Sequence, residues 1–488
     1  MKTTDSPGKN PCVSRRCFLS GCAACTAILC SGRWPGALFA NGMTQTLPQP
    51  KEKAKIRLLF AYSPSDSPTW PNIGYDFEKR KGQILPALKK GCPDIEFLTV
   101  DAMSVEDATK VLEKDSEVDG YVVYMLGLGW AEVGETIAAS LRPTIYVDNL
   151  YGGSGRFLIS TAKAKRMNQN PDKTKAWKVA AVSSSDIHDV CSAINCFACM
   201  KKLKQSTILR VGTGFGAEPE AIRNVFGTRV LPMEFTPLNE LYNKADMEIA
   251  RQWANKWFKE ADRVIEPTKD EILKSARMYL AMCELLRQND AQAITINCLG
   301  GFYGNQITAY PCLGFFQLNN DGFVGACEAD TTSTITMLVM TYLTGRPGYI
   351  SDPVIDTSKN QIIYAHCVAS NKVFGPAGRS NPYHIRNHSE DRKGAVVRSL
   401  MPLGEMTTTL EFDPGRRQVI FHQATAVANI DDDMACRTKL AAEVKGDIDK
   451  LMNYWDQWGW HRVTVYGDYK RRIQQFAALT GFDIVEEA

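Results

Sequence analysis

Short β-branched runs alternate with amphipathic segments along the part of the chain that follows residue 55. Strand-like runs occupy residues 56–62, 95–100, 120–126 and 143–147. Apolar positions over 105–113 recur with the 3.6-residue period of a helix. This alternation favours βαβ units in a parallel, doubly wound sheet. We therefore predict an α/β domain over 50–175, which the polar, Lys-rich stretch 161–176 ends.

A second α/β pattern follows the Lys-rich stretch and predicts a further doubly wound domain over 176–345. Its strand-like and helical runs occupy 179–182, 187–203, 207–211, 237–290 and 293–297. Glycines at 212–217 predict a tight strand-to-helix turn of the kind that cradles phosphates. The glycine spacing departs from the dinucleotide-binding pattern, so a packing turn is the favoured interpretation.

The pattern changes after Gly345-Arg346-Pro347 to strand-like alternation with few long helices. Examples are residues 361–364, 407–412 and 417–421. Period-two alternation of this kind predicts a β-rich domain over 346–488. The predicted fold class is therefore α/β, with two Rossmann-like doubly wound domains followed by a β-rich C-terminal domain.

Composition is that of an ordinary globular protein. The 488 residues are 44% hydrophobic and 23% charged, and 57 Lys and Arg nearly balance 54 Asp and Glu. Single cores rarely grow past about 250–300 residues, which agrees with several domains. The balanced charge implies no nucleic-acid partner. The basic stretch 163–178 fits a solvated surface better than a binding patch.

The N-terminal segment predicts export. Ser14-Arg15-Arg16-Cys17-Phe18-Leu19 is a twin-arginine pattern, and the uncharged run 17–32 after it is shorter than the ~20 residues of a spanning helix. We interpret 1–40 as a removed signal, which predicts a periplasmic or secreted protein without a membrane segment in the mature chain. An alternative is a lipoprotein whose lipidated residue is Cys22.

The cysteines predict free thiols. Five of the 15 lie in the predicted signal, and Cys191, Cys196 and Cys199 among the others fall on an apparent apolar helix. Thiols in such segments fit core packing better than a disulfide framework.

Acidic residues stand out where a hydrophobic run ends at Glu328-Ala329-Asp330. A helical stretch follows, and then a short strand at 348–351 leads to Asp352. If both runs are neighbouring parallel strands, Glu328 and Asp352 meet at the carboxyl edge of one sheet. A cation between them relieves their repulsion, and hard oxygen ligands suit Mn²⁺ or Mg²⁺. The alternative is that Glu328 or Asp330 only caps the following helix.

Two segments carry a family resemblance. Residues 328–352, with Leu343-Thr344-Gly345-Arg346-Pro347, resemble the metal-site segment of L-fucose isomerases. Residues 460–468 resemble the closing segment of that family, although Trp460 stands where the family often has a first histidine of a pair. The resemblance implies that Glu328, Asp352 and His461 bind manganese. It also implies that the two carboxylates serve as catalytic acid and base.

The implied function is a metal-dependent interconversion of an aldose and a ketose through an ene-diol, in a homo-oligomer acting on a small sugar. This reaction needs a base, an acid and a Lewis acid that holds two sugar oxygens. Alternatives are an epimerase or lyase acting on a modified sugar, or a non-catalytic periplasmic sugar-binding protein. The roles of the residues around the cluster stay open. His366 fits a structural role better than a site role, and Trp455, Trp458 and Trp460 fit either a sugar-stacking surface or the core.

Overall fold

A computed structural model describes residues 47–453 and 455–488 of the chain. The predicted signal 1–40, with the alternative lipidation site Cys22, lies outside these residues. In the described part, none of the helices has both the length and the apolar character needed to cross a bilayer. All ten described cysteines are free thiols, as predicted, and nine of them are buried.

The first sheet is built from the predicted βαβ units. Its strands and helices are β1 (Ala54–Ala61), α1 (Phe77–Gly91), β2 (Ile95–Ala102), α2 (Val105–Lys114), β3 (Gly120–Met125), α3 (Trp130–Ala139), β4 (Thr144–Asp148), α4 (Ser154–Asn168) and β5 (Val179–Ser183). The strands are parallel in the order β2-β1-β3-β4-β5. Every residue of β3 and β4 is buried because helices cover both faces of the sheet. The sheet includes β5 and so extends past residue 175.

The second sheet is also parallel. The elements of this part are α5 (Ile187–Lys204), β6 (Thr207–Val211), α6 (Pro219–Phe226), β7 (Arg229–Met233), α7 (Phe235–Lys244), α8 (Met247–Glu260), β8 (Arg263–Val264), α9 (Lys269–Gln288), β9 (Ala293–Ile296), α10 (Cys298–Tyr303), α11 (Cys312–Asn320), β10 (Val324–Cys327) and α12 (Thr331–Thr344). The strand order is β10-β9-β6-β7. The long helix α9 starts at a capping box in which Thr268 and Glu271 satisfy each other's backbone N–H groups.

The remaining residues form the predicted β-rich domain. Its elements are β11 (Tyr349–Asp356), β12 (Gln361–His366), β13 (Tyr383–Arg386), β14 (Val396–Ser399), β15 (Met406–Asp413), β16 (Gln418–Asn429), β17 (Thr438–Val444), α13 (Asp449–Asn453), β18 (Arg462–Tyr466), α14 (Lys470–Thr480) and β19 (Asp483–Glu486). Six antiparallel strands follow the order β15-β18-β11-β12-β17-β16, and pairing of β15 with β16 closes them into a barrel. The predicted fold class is confirmed.

One expectation about the strands is wrong. Residues 348–351 were expected to form a parallel strand beside the strand that precedes Glu328. The strand β11 instead lies in the barrel, antiparallel to β12 and β18, whereas β10 belongs to the second sheet. A short apolar run does not distinguish parallel from antiparallel pairing. The helix α12 carries the chain from one sheet to the other, so Glu328 and Asp352 face each other across a junction.

Candidate metal centre

Four side chains converge where the second sheet meets the barrel. Glu328, Asp352, His366 and His461 each offer one ligand atom, and these atoms all lie within 4.8 Å of one another. Glu328 follows β10, whereas the other three lie in or beside barrel strands. The structure therefore brings together the three residues named from the sequence and adds His366. Their roles as ligands stay a prediction.

Glu328 is presented by a strained turn. It and Ala329 have positive φ angles of 64° and 53°, a conformation that costs roughly 1–2 kcal/mol for each non-glycine residue. The backbone N–H of Phe215 donates to the carbonyl of Ala329 at 3.3 Å. A Cβ added at Gly214 would lie 2.4 Å from the same oxygen. The glycine-rich turn 212–217 thus packs against the Glu328 turn, in agreement with the packing interpretation.

His461 has a different partner at each ring nitrogen. Its Nδ1 lies 2.9 Å from Asp330 Oδ2. Its Nε2 lies 3.5 Å from Glu328 Oε2 and 3.4 Å from Asp352 Oδ1, and it is buried without a hydrogen-bond partner. Donation from Nδ1–H to a carboxylate places the lone pair on Nε2, towards the other carboxylates.

Asp330 combines two roles. Its Oδ1 accepts hydrogen bonds from the backbone N–H groups of Thr332 and Ser333 at 2.9 and 3.1 Å, so it caps α12. The capping interpretation is therefore correct for Asp330, while Glu328 joins the cluster. The second role, holding His461, was missed because a capping residue needs no further explanation in a single sequence.

Asp352 and His366 complete the cluster. The indole Nε1–H of Trp460 donates to Asp352 Oδ1 at 2.7 Å. The Nε2 of His366 lies 3.9 Å from Glu328 Oε1 and has no hydrogen-bond partner, although the residue is buried. His366 therefore faces the carboxylates directly, which the favoured structural interpretation did not anticipate. The only signal for His366 in the sequence was its place at the end of a strand-like run.

The electrostatics of the cluster favour a cation. Burial by itself raises the pKa of Asp352, but interactions with His461 and His366 and the hydrogen bond from Trp460 lower it to about 2. Burial by itself lowers the pKa of His461, but the surrounding carboxylates raise it well above the ordinary value. Without a metal ion, the carboxylates thus favour a proton on His461.

The donor set fits a divalent metal ion. The Nε2 atoms of His366 and His461 are buried, unpartnered and directed at two carboxylates. Buried polar atoms ordinarily have partners, so a cation between these groups explains the arrangement. Imidazole and carboxylate ligands together suit first-row divalent ions. The cluster could therefore hold a metal ion.

A cavity of about 700 Å³ opens onto the cluster. Its wall includes Trp455 and Trp460, whereas Trp458 is buried in the core. Trp458 is therefore a core residue, whereas stacking of Trp455 or Trp460 on a sugar stays a prediction. A cavity of this size, with convergent polar groups and apolar walls, is typical of a small-molecule site.

Proteins of similar sequence include several sulfoquinovose isomerases. That of Priestia megaterium is 24% identical over 374 residues, which span 72% of this chain and 78% of the relative. That of Alkalicoccus urumqiensis is 22% identical over 306 residues, 59% of this chain and 67% of the relative. No family model matches the chain. The chain is therefore a distant homologue of sugar isomerases, while the resemblance to L-fucose isomerases stays a prediction.

Proposed function

We propose that the protein is a metal-dependent sugar isomerase of the L-fucose isomerase type, which interconverts an aldose and a ketose. The observation that carries the proposal is the cluster of Glu328, Asp352, His366 and His461 at the end of a sugar-sized cavity. Distant homology to sulfoquinovose isomerases supports it. A protein that only bound sugars would have no need for four convergent metal-ligating groups.

The two carboxylates would move the proton. Isomerisation takes a proton from the carbon beside the carbonyl and returns it to the neighbouring carbon, while a hydroxyl proton moves between the two oxygens. Glu328 and Asp352 approach the same His461 nitrogen from different elements, so a bound sugar would contact both. One would act as base and the other as acid.

His461 would hold the ion through Nε2 without adding negative charge, and Asp330 would fix its ring. The Nδ1 of His366 accepts a hydrogen bond from the backbone N–H of Cys367, so a neutral His366 would instead present an Nε2–H to the cluster. A divalent ion, for which we propose Mn²⁺ with Mg²⁺ as the alternative, would polarise the two sugar oxygens. Trp460 would hold Asp352 in place through its indole N–H.

The cavity favours an uncharged sugar over a sulfonated one. Its wall carries Glu390 and Asp456 in addition to the two carboxylates of the cluster, and none of the described residues that line it is Lys or Arg. An anionic group needs a cationic or charge-assisted partner to leave water. We therefore propose a neutral sugar as substrate, although the relatives are named for sulfoquinovose.

Export and assembly belong to the same proposal. The twin-arginine pattern at Arg15 and Arg16 supports delivery to the periplasm of a folded, metal-loaded protein. The family resemblance supports a homo-oligomer. N-terminal sequencing of the secreted protein and its sedimentation behaviour test these two points.

A sugar panel tests the reaction. We expect Mn²⁺-dependent conversion of a neutral aldose into its ketose in D₂O, with one deuterium incorporated on carbon, and loss of conversion in Glu328→Gln. A C2 epimer as product would replace isomerisation by epimerisation. Retained metal without turnover of any sugar would favour a binding protein instead.

A further inference from the structure

Glu411 is a buried carboxyl group without a counterion. It lies in the barrel strand β15, is 1% exposed, and its Oε2 has no hydrogen-bond partner. Its Oε1 lies 3.1 Å from the hydroxyl of Ser333, in the first turn of α12. An ionised carboxylate in this position would leave one charged oxygen buried and unpaired, which is costly.

The single hydrogen of the Ser333 hydroxyl determines which group donates in each of its two hydrogen bonds. Its Oγ lies 2.9 Å from Asp330 Oδ2 and 3.1 Å from Glu411 Oε1. A hydroxyl has a single hydrogen, so it can donate to only one of these oxygens. Donation to the shorter, charge-assisted contact at Asp330 is favoured. The contact with Glu411 is then a hydrogen bond only if Glu411 carries a proton and donates it.

The charges around Glu411 agree with a protonated acid. Burial and the negative charge of Asp330 raise the pKa of Glu411 well above its ordinary value. Arg462, Ser333 and His461 act in the opposite direction but do not overcome these effects. A neutral carboxyl group also explains why no cation pairs with Glu411 in the described part of the chain.

We propose that neutral Glu411 is a positioning residue for the metal centre. Its O–H donates to Ser333, the Ser333 hydroxyl donates to Asp330, and Asp330 thereby holds the Nδ1–H of His461 so that Nε2 faces the metal position. This three-bond chain runs from the interior of the barrel to the cluster, over 3.1, 2.9 and 2.9 Å. The proposal rests on the proposed function, because it assumes that His461 binds an ion.

Two substitutions of Glu411 test whether this side chain is a neutral hydrogen-bond donor or a charged acceptor. Glu411→Gln keeps a neutral donor of the same shape, so we expect its Mn²⁺ Kd to stay within about twofold of wild type. Glu411→Met removes the donor, and we expect a Kd about tenfold weaker, as for other partners of metal ligands. Both are measured by calorimetry on the full protein at pH 7, without sugar.

Ser333→Ala supplies the double-mutant test. We expect the same tenfold loss as in Glu411→Met and no further loss when both are combined, since they interrupt one chain. Ser275→Ala, a buried serine in α9, is the matched control and should leave the Kd unchanged. Thermal unfolding of each variant separates loss of fold from loss of positioning.

Several results would overturn the proposal. They are tenfold weaker Mn²⁺ binding by folded Glu411→Gln, an unchanged Mn²⁺ Kd in Glu411→Met, or losses of Mn²⁺ affinity that add up in the double variant. The imidazole ¹⁵N spectrum of His461 gives a readout that needs no metal. The metal-free ring favours a proton on both nitrogens, so we expect a hydrogen-bonded, slowly exchanging Nδ1–H in wild type and Glu411→Gln, and a faster-exchanging Nδ1–H in Glu411→Met. If wild type binds no Mn²⁺, the proposed function fails, and this spectrum alone decides the positioning role.

Discussion

At the scale of single residues, the carboxylates of Asp330 and Glu328 have different roles in the candidate metal centre. Asp330 accepts four hydrogen bonds, from two backbone N–H groups, the Ser333 hydroxyl and His461. These four hydrogen bonds fix the orientation of its carboxylate as an acceptor. Glu328, by contrast, lies 3.5 Å from Nε2 of His461 and 3.9 Å from Nε2 of His366, so it faces the cluster. One short acidic segment thus supplies the support of His461 and, under the proposed function, a reactive group.

Asp330→Asn should weaken metal binding while leaving most of the fold intact. The amide oxygen still caps α12, but it no longer stabilises a fixed Nδ1–H on His461 by charge. We expect the Mn²⁺ Kd to rise about 10–100-fold, measured by calorimetry. Asp246→Asn is the matched control, because Asp246 caps α8 in the same way without touching the cluster. Equal losses in both variants would contradict the role of Asp330.

Glu487 makes a pH-dependent contribution to stability. It is buried between His422, at 2.7 Å, and Arg462, at 3.2 Å. Burial raises the pKa of Glu487, but Arg462 and His422 lower it below the ordinary value. The stabilisation is therefore present above the unfolded-state pKa of about 4.3 and is lost as pH falls through the folded-state pKa.

Glu487→Gln should destabilise the protein at pH 7 by about 3 kcal/mol, because Arg462 stays buried without its partner. Unfolding by urea at pH 7 and at pH 4 measures this difference. We expect the gap between variant and wild type to narrow at the lower pH. A gap that is constant with pH would contradict an ionised Glu487.

The sequence correctly predicted which residues come together where a polar side chain stands out from apolar surroundings. Glu328, Asp352 and His461 are polar groups in apolar surroundings, and the family resemblance supplied their roles. His366 was ambiguous because one histidine after a strand fits many environments. The support from Ser333 and Glu411 was invisible, since it depends on a contact across 78 residues of sequence.

The key elements are the two turns that pack together beneath Glu328. The strained conformation of Glu328 and Ala329 persists because the Phe215 N–H donates to the Ala329 carbonyl, while the Thr331 N–H donates to the Phe215 carbonyl. Gly214 allows this approach because it has no side chain. The glycine-rich turn is therefore part of the support of the centre.

Gly214→Ala tests this close contact. The new Cβ would meet the Ala329 carbonyl at 2.4 Å, a backbone atom that cannot rotate away. We expect a lower melting temperature and at least tenfold weaker Mn²⁺ binding. Gly82→Ala, in α1 with open space around it, is the control and should stabilise slightly. Intact binding in Gly214→Ala would show that the turn does not depend on this contact.

Elements were predictable where periodicity is local. Parallel strands such as β3 and β10 are fully buried and largely apolar, and helices such as α2 and α6 carry a clear 3.6-residue pattern. The partners of β11 were not predictable, because strand pairing in the barrel depends on β12 and β18, the latter more than 100 residues away. The prediction of neighbouring parallel strands failed for that reason.

The whole molecule encloses its thiols. Nine of the ten described cysteines are buried, and Cys436, on the cavity wall, is the partly exposed one. Cys298, Cys312, Cys327 and Cys367 also border the cavity, but their burial limits access by reagents. The sulfur atoms of Cys298 and Cys327 lie 2.8 Å apart. Buried thiols of this kind behave as small apolar groups.

Alkylation of the native protein should modify one thiol within residues 47–488 much faster than the rest. We expect the label on Cys436, located by peptide mass, and labelling of all ten after denaturation. Cys436→Ser should abolish the fast reaction. Rapid labelling of Cys196 or Cys199 instead would contradict the packing of α5 against the sheets.

Composition and periodicity predicted the α/β and β-rich parts of the molecule, but they did not predict the cavity. The cavity forms only when the second sheet, the barrel and the 455–460 segment come together, and no single segment encodes that arrangement. Its acidic wall, on which the proposal of an uncharged sugar rests, emerged from the structure alone.

The most direct test of the proposed metal site is the metal content of the purified mature protein, measured by elemental analysis after growth with manganese. We expect about one divalent ion per chain in wild type and loss of that ion in the double variant Glu328→Gln, His461→Ala, with the fold retained. Absence of metal from wild type even after manganese is supplied, or equal metal in both proteins, would contradict it.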